Sequence, residues 1–274
     1  MAENLKSMDI HPLTLQDLPL TRHLQPEGWG DITIYFIEYC LQSFCRPVKV
    51  VFEKKIIGVG ALILHQDSAW LGHIIVDESY RGRGIGFKIV KHLIDLAAKN
   101  GAMSISLIAT DLGSPVYKKA GFKTVGAYQF FKREHVWSER SLSDQLLSAT
   151  PAQYEQILEL DQQINGEVRR KLIDGHLNRA IIFKEGERVE GYYFPQLGQG
   201  PIYAITERAG LALMELKYST TDTAVIPKDN TIGNAFLKDN GFLPQDFTAI
   251  RMVYGAEIQW FPKQIYSRIG GNYG

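Results

Sequence analysis

Residues 71–87 read LGHIIVDESYRGRGIGF, an apolar run ending at Val76, a glycine-rich turn, and the opening of a helical pattern. A strand handed to a helix through Arg81-Gly82-Arg83-Gly84-Ile85-Gly86 sets a layered α/β arrangement. The turn also brings several backbone N–H groups and two guanidiniums to one point, which is what a phosphate or pyrophosphate needs. The glycine spacing excludes two common phosphate loops. A dinucleotide fingerprint needs a third glycine where Phe87 stands, and no acidic residue is convincingly placed about 20 residues further on. A Walker loop needs Lys followed by Ser or Thr directly after its second glycine, and no such pair occurs here.

Behind the loop, Ile85, Ile89, Val90, Leu93, Ile94 and Ala97 recur at helical spacing, with Lys88, Lys91, Asp95 and Lys99 between them. This is an amphipathic helix packed on a sheet, ended by Asn100-Gly101. Ahead of the loop, 15–24 and 31–44 read as helices, and KVVFE, IIGVGALILHQ and AWLGHIIV as strands. Downstream come a strand at 104–110 and a further apolar strand, TVGAYQFFKRE. The serine-rich stretch WSERSLSDQLLSAT then reads as a linker. A second series of helices and strands repeats the first order and ends in Asn240-Gly241-Phe242. The expected division is therefore 1–136, a linker at 137–149, and 150–274, and 274 residues suffice for two cores. Thirty basic residues balance thirty acidic ones, so the charge points to neither nucleic acid nor a membrane surface as partner. Cys40 and Cys45, five apart in an apolar helical stretch, read as buried thiols on different faces. No apolar run of about 18 residues and no signal-peptide core is present, so a cytoplasmic location is expected.

The segment VDESYRGRGIG resembles the acetyl-CoA loop of the GNAT N-acetyltransferase superfamily. The likeness continues in Gly113-Ser114-Pro115-Val116-Tyr117-Lys118-Lys119-Ala120-Gly121-Phe122, which is similar to the family's Tyr-x-x-x-Gly-Phe signature. The two-unit arrangement resembles a bacterial tandem branch with an active N-terminal domain and a degenerate GNAT-like C-terminal domain. Gly28-Trp29-Gly30, LDQQINGEVRRKL, GQGPIYAI and VIPKDN with Arg251-Met252 carry that likeness. It implies two tandem GNAT-like domains of mixed α/β sheet and acetyl-CoA as cofactor. When the halves are aligned on their Gly-Phe pairs, Leu237 stands where Tyr117 does, and Glu207 puts a carboxylate near the expected pyrophosphate. The second half thus resembles a GNAT fold that has lost cofactor chemistry.

By the same resemblance, backbone groups around Ile74, Ile75 and Val76 hold pantetheine and the thioester oxygen. Arg81, Gly82, Arg83, Gly84, Ile85, Gly86 and Phe87 hold the diphosphate, with Gly113 and Ser114 beside the cofactor. Tyr117 matches the general acid for the leaving thiolate; its alternative is packing against the cofactor for shape. His73 lies on the key strand with a pKa suited to a base, but alternation puts it on one face with Leu71 and Ile75, as a satisfied sheet histidine. A water chain is the third route for the proton. Asp77 and Glu78 read as solvated turn residues, and Lys88 and Lys91 as a solvated helix face or contacts to the cofactor's other phosphate. Trp29 either covers the acceptor site or anchors the opening helices. In the second half, Asp161, Arg169 and Arg170 resemble family positions, although Val168 stands where an acidic residue is expected. The expected activity is acetyl transfer to an amine, on a small molecule, by direct attack, with the second domain closing the acceptor cleft. The alternative is a module that senses acyl-CoA without turning it over. Neither the acceptor nor the oligomeric state is carried by a recurring motif.

Overall fold

The computed structural model describes residues 8–134 and 143–274. The first half runs β1 (Asp9–Pro12), a 3-10 helix (Leu15–Leu24), α1 (Ile32–Leu41), β2 (Cys45–Phe52), β3 (Lys55–Leu64), β4 (Ser68–Val76), α2 (Ile85–Lys99), β5 (Ser104–Ala109), α3 (Ser114–Ala120) and β6 (Lys123–Lys132). The second runs β7 (Leu146–Ser148), α4 (Tyr154–Asn165), α5 (Arg170–Ile173), β8 (Ile181–Glu185), β9 (Arg188–Tyr193), β10 (Ile202–Ala204), α6 (Glu207–Tyr218), β11 (Thr223–Pro227), α7 (Thr231–Asp239), β12 (Leu243–Gly255) and β13 (Ile265–Ser267). The mixed α/β class and the repeated order of elements are those the sequence predicts. Among the described residues, no helix is long and apolar enough to cross a membrane.

The strands form an eight-stranded sheet, β1-β2-β3-β4-β5-β12-β6-β11, and a five-stranded sheet, β13-β10-β9-β8-β7. β12, from the second half, is therefore inserted between β5 and β6 of the first. It pairs antiparallel with β5 from Ile250↔Ala109 to Gly255↔Ser104, and antiparallel with β6 on its other edge. β6 in turn pairs with β11 from Thr223↔Lys132 to Pro227↔Tyr128. Each half thus gives its last long strand to the other, and the two exchanged strands meet at the centre. The division at 137–149 falls partly on residues outside the described ones, and its described end contains β7, which pairs with β8.

Apolar side chains are gathered in three places. The predicted stripe of α2, from Ile85 to Ala97, is buried against β3, β4 and β5. A second cluster lies under α6 and α7. The third joins the halves, with α1, β3 and β4 on one side and α4, α5, β8 and β9 on the other. Buried polar groups stitch this junction. Glu167, 1% exposed, accepts hydrogen bonds from Ser68 Oγ at 2.6 Å and Trp70 Nε1 at 3.0 Å. Arg251 of β12 stands 3.8 Å from the same carboxylate, with its guanidinium between the Trp70 ring at 4.8 Å and the Trp260 ring at 4.1 Å. Beside them, Asp161 and Arg169 form a buried ion pair at 2.6 Å, and Arg169 also donates to the Tyr273 carbonyl.

Several local expectations are corrected. α1 stops at Leu41 because Gln42 turns extended, so Cys40 ends a helix and Cys45 opens β2 instead of sharing one helix. Both thiols are free. The opening segment Leu15–Leu24 is a 3-10 helix with Pro19 inside it, where proline's missing N–H disfavours α-helical bonding. In the second half, EVRRKLIDGHLN has a helical pattern, but only α5 forms there, followed by a 3-10 turn, Asp174–Arg179.

Two stability measurements follow from this topology. Residues 1–136 expressed alone lack β12, and circular dichroism with denaturant titration should show no cooperative unfolding until 137–274 is supplied. Glu167→Ala leaves the Arg251 cation buried without its carboxylate, and should lower the urea-unfolding free energy of the whole chain by about 3–5 kcal/mol.

Candidate functional site

The site begins where β4 and β5 part. They pair in parallel only from Ser68↔Ser104 to Trp70↔Ser106. Beyond Trp70, β4 stays with β3 while β5 stays with β12, so among the described residues the β4 edge carrying Ile74, Ile75 and Val76 has no strand beside it. Its backbone groups need partners from elsewhere. A bulge lies in the same stretch: Gly72 pairs with Ala61 and Ile75 with Val59, which sets His73 and Ile74 against Gly60 alone. His73 takes a positive φ of 48°, a strained conformation for a non-glycine residue and costly by about 1–3 kcal/mol. The bulge also breaks the expected alternation. Leu71 and Ile74 pack toward α2, whereas His73 turns to the face of Ile75 and packs against α1.

The loop after β4 is built by local bonds. Asp77 is buried, not solvated: it accepts from Ser79 N–H, pairs with Lys55 at 2.7 Å, and is held below the ordinary carboxyl range by that lysine. Gly82 and Gly84 take φ of +74° and +81°, which favours glycine at both. Gly84 is the N-cap of α2 and offers no side-chain oxygen, so the first N–H groups of the helix, at Ile85, Gly86 and Phe87, stay uncapped. Gly86 has neither positive φ nor crowding, since an added Cβ would meet only Val76 Cγ2, at 3.8 Å. The protein itself does not require glycine there, and bare backbone admits the close approach of an outside group. Neither guanidinium points at those amides. Arg81 donates to the Val76 carbonyl and pairs with Glu78, and Arg83 donates to the Ser79 carbonyl and covers the Tyr80 ring at 5.2 Å. The expected convergence on one point is thus made by backbone N–H groups, with both arginines folded onto the loop. Lys88 donates to the Met8 carbonyl, just ahead of β1.

Across the gap stands α3. Gly113 is its N-cap, Ser114 its buried first residue, and Tyr117 lies one turn in. The Tyr117 ring packs edge-on to Phe122 at 5.9 Å, and an added Cβ on Gly113 would meet it at 3.1 Å. Burial pushes the Tyr117 phenol above its ordinary pKa, which keeps its proton in place. Phe122 in turn touches Tyr254 of β12 at 5.5 Å, so the second half supports this wall.

On the other face, an aromatic group surrounds His73. Tyr35 of α1 stacks on it at 4.5 Å, and Trp29, 45% exposed, meets it edge-on at 6.0 Å. Gln25 fixes the Trp29 turn by donating to the Trp29 and Gly30 carbonyls and accepting from Ile32 N–H. The Tyr39 hydroxyl bonds His73 Nδ1 at 2.7 Å, and Asn272 Nδ2 donates to that hydroxyl at 2.7 Å. Neither Tyr39 nor Asn272 is marked in the sequence. Nothing separates Tyr39 from Tyr35 in an apolar helix, and Asn272 lies 233 positions away. Burial pulls His73 down to about 4, so its imidazole is neutral near pH 7.

The second half lacks each of these openings. β13 pairs with β10, and Arg268 N–H reaches the Val225 carbonyl of β11, so a strand fills the counterpart gap. Thr206 caps α6 through its side chain. The Tyr266 ring lies against Gly210, where a Cβ would come within 2.2 Å of it. Leu237 is fully buried, and Asp161, Arg169 and Glu167 are spent on the junction described above, while Arg170 pairs with exposed Glu155.

The acetyltransferase (GNAT) family matches residues 14–122. The chain is 30% identical over 81 residues to a probable glucosamine 6-phosphate N-acetyltransferase 2 of Oryza sativa subsp. japonica, covering 27% of this chain and 49% of the relative. It is 29% identical over 76 residues to a glucosamine 6-phosphate N-acetyltransferase of Trypanosoma brucei brucei, covering 25% and 52%. The chain thus spans about half the length of the curated relatives it matches. Among solved structures, a putative acetyltransferase from Pyrococcus horikoshii superposes with a TM-score of 0.79 at 19% identity, over 100% of this chain and 99% of that one. The likeness to the latter is one of fold.

Burial of two histidines sets an acid limit. His65 is pulled down to about 3 and His73 to about 4, whereas the unfolded chain takes up these protons near 6.5. Stability should therefore be full above pH 6.5 and fall as pH drops toward 4, because only the unfolded state charges in that window. Urea midpoints from pH 7 to pH 4.5 check this, and His65→Leu should flatten the slope.

Proposed function

We propose that this chain, whose residues 14–122 belong to the acetyltransferase (GNAT) family, transfers an acetyl group from acetyl-CoA to the amine of a small molecule by direct attack. The observation that carries this reading is the unpaired edge of β4 running into the uncapped N-terminus of α2. Acetyl-CoA supplies the thioester. Ile74, Ile75 and Val76 would hold its extended arm through backbone groups, and the N–H groups of Ile85, Gly86 and Phe87 would hold its diphosphate, where a helix N-terminus favours anions. Arg81 and Arg83 are within the same loop and would add charge on turning outward. Gly113 and Ser114 line the opposite wall.

Backbone donors fixed beside a carbonyl favour the negative charge that grows on its oxygen during attack. Tyr117, kept protonated by burial, is the acid for the departing thiolate. The tyrosine is present in the half with the open gap and replaced by Leu237 in the half whose gap is filled, which favours turnover over mere sensing. Trp29 and His73 form the acceptor side, where the incoming amine arrives uncharged and, once bonded to the acetyl carbon, passes its proton to a chain of water. The relatives' names, glucosamine 6-phosphate N-acetyltransferases, support a small-molecule amine as acceptor. We place turnover in the unit 1–136, completed by β12 of the unit 150–274, and in a reducing cytoplasm that suits two free thiols.

Acetyl-CoA titrated calorimetrically should give saturable heat, and thiol release should appear with at least one member of a small-amine panel. Binding without release for any acceptor would favour a sensor. Tyr117→Phe should lower kcat by about 10²-fold or more while acetyl-CoA affinity stays within a factor of about two. Gly86→Ala should weaken acetyl-CoA binding about tenfold, with an unchanged melting temperature.

A further inference from the structure

We propose that Asn272, near the far end of the second half, is a positioning residue for the acceptor side of the first: through the Tyr39 hydroxyl it fixes His73 with its proton on Nε2, so that the ring presents a hydrogen-bond donor to the acceptor. The inference rests on the acetyltransferase reading for what the acceptor is, but its geometry stands alone.

Three observations converge on it. Asn272 Nδ2 donates to Tyr39 Oη at 2.7 Å, and the buried hydroxyl's own hydrogen then finds its acceptor in His73 Nδ1, also at 2.7 Å. A neutral imidazole that accepts at Nδ1 carries its proton at Nε2. Second, Gly72 is shaped for this chain of bonds: a Cβ there would stand 2.8 Å from both Asn272 Cβ and Tyr39 Oη. The β4 strand gives up a side chain at the position where the two partners come in. Third, His73 is held at φ +48° in the bulge, with Tyr35 stacked at 4.5 Å on its ring. Strain in one residue, kept by the packing of its neighbours, points to a group whose direction matters.

The direction of the bonds decides the chemistry. With Nδ1 engaged as an acceptor, His73 is not free to take the amine's proton at Nε2, which already carries one. It acts as a donor, and so it selects an amine that bears an oxygen lone pair near the reacting nitrogen, such as a hydroxyl, carbonyl or carboxylate.

Asn272→Asp tests the direction with almost no change of shape. A carboxylate cannot donate, so the Tyr39 hydrogen turns to it, and the Tyr39 oxygen then accepts from His73 Nδ1–H. Nitrogen-15 spectra of the full chain, with His73 assigned by loss of its signals in His73→Gln, should show the Nε2–H tautomer in the wild type and the Nδ1–H tautomer in Asn272→Asp. The kcat/KM for the acceptor should fall about tenfold or more in Asn272→Asp, while the KM for acetyl-CoA is unchanged. Tyr39→Phe removes the relay's oxygen without adding charge, and should give the same kinetic loss should the aspartate variant fail to fold. An Nδ1–H tautomer in the wild type, or full acceptor kcat/KM in Tyr39→Phe, overturns the proposal. Absence of turnover in the wild type overturns the acetyltransferase reading instead, since the tautomer is read without any reaction.

Discussion

Insertion of β12 between β5 and β6 is the constraint on which the rest of the structure depends. Backbone amides and carbonyls on both edges of that strand are satisfied by the first half, and those of β6 by both β12 and β11. Because β12 holds its other edge, β5 stays in the sheet where it leaves β4 after Trp70, and the gap opens between them. The same strand carries Arg251 to the Trp70 and Glu167 junction and Tyr254 to the wall behind Tyr117. One pairing therefore sets both the union of the halves and the width of the site.

The two halves show how little separates an open site from a closed one. Both have a strand, a turn and a helix in the same order. In the first, the helix begins at Gly84 with no side-chain cap among the described residues; in the second, Thr206 supplies an oxygen. In the first, the strands diverge; in the second, β13 lies in the corresponding space and Tyr266 covers the helix start at Gly210. Lys217, buried there, donates to the Gln199 and Gly200 carbonyls and to Ser267 Oγ, so the space is filled by satisfied polar contacts as well as apolar ones.

Much of this was legible in the sequence where local chemistry decides the structure. The φ adopted at 82 and 84 favours the glycines found there, and the stripe of α2 is the one its periodicity predicts. What was not legible is long-range. The alternation of β4 gives no warning of the bulge, because its cause is the pairing register with β3 and not the identity of His73. Strand exchange leaves no mark in either partner, since β12 and β6 have ordinary strand patterns whichever sheet receives them. Glu167, Tyr39 and Asn272 matter through residues roughly 100 to 230 positions away. The sequence predicts that the arginines at 81 and 83 converge on the phosphate with the backbone amides, but hydrogen bonds to the Val76 and Ser79 carbonyls fold them onto the loop.

The exchanged strand also fixes a timetable. Residues 8–134 can form helices and hairpins as they emerge from a ribosome, yet the edges of β5 and β6 that await residues 243–255 stay unsatisfied until most of the chain has been made. Pairings so distant in sequence are slow to close and leave sticky edges exposed meanwhile. A nascent chain of this design is most exposed to aggregation late in synthesis, when its first half is nearly built, and that is the interval in which chaperone protection would count most.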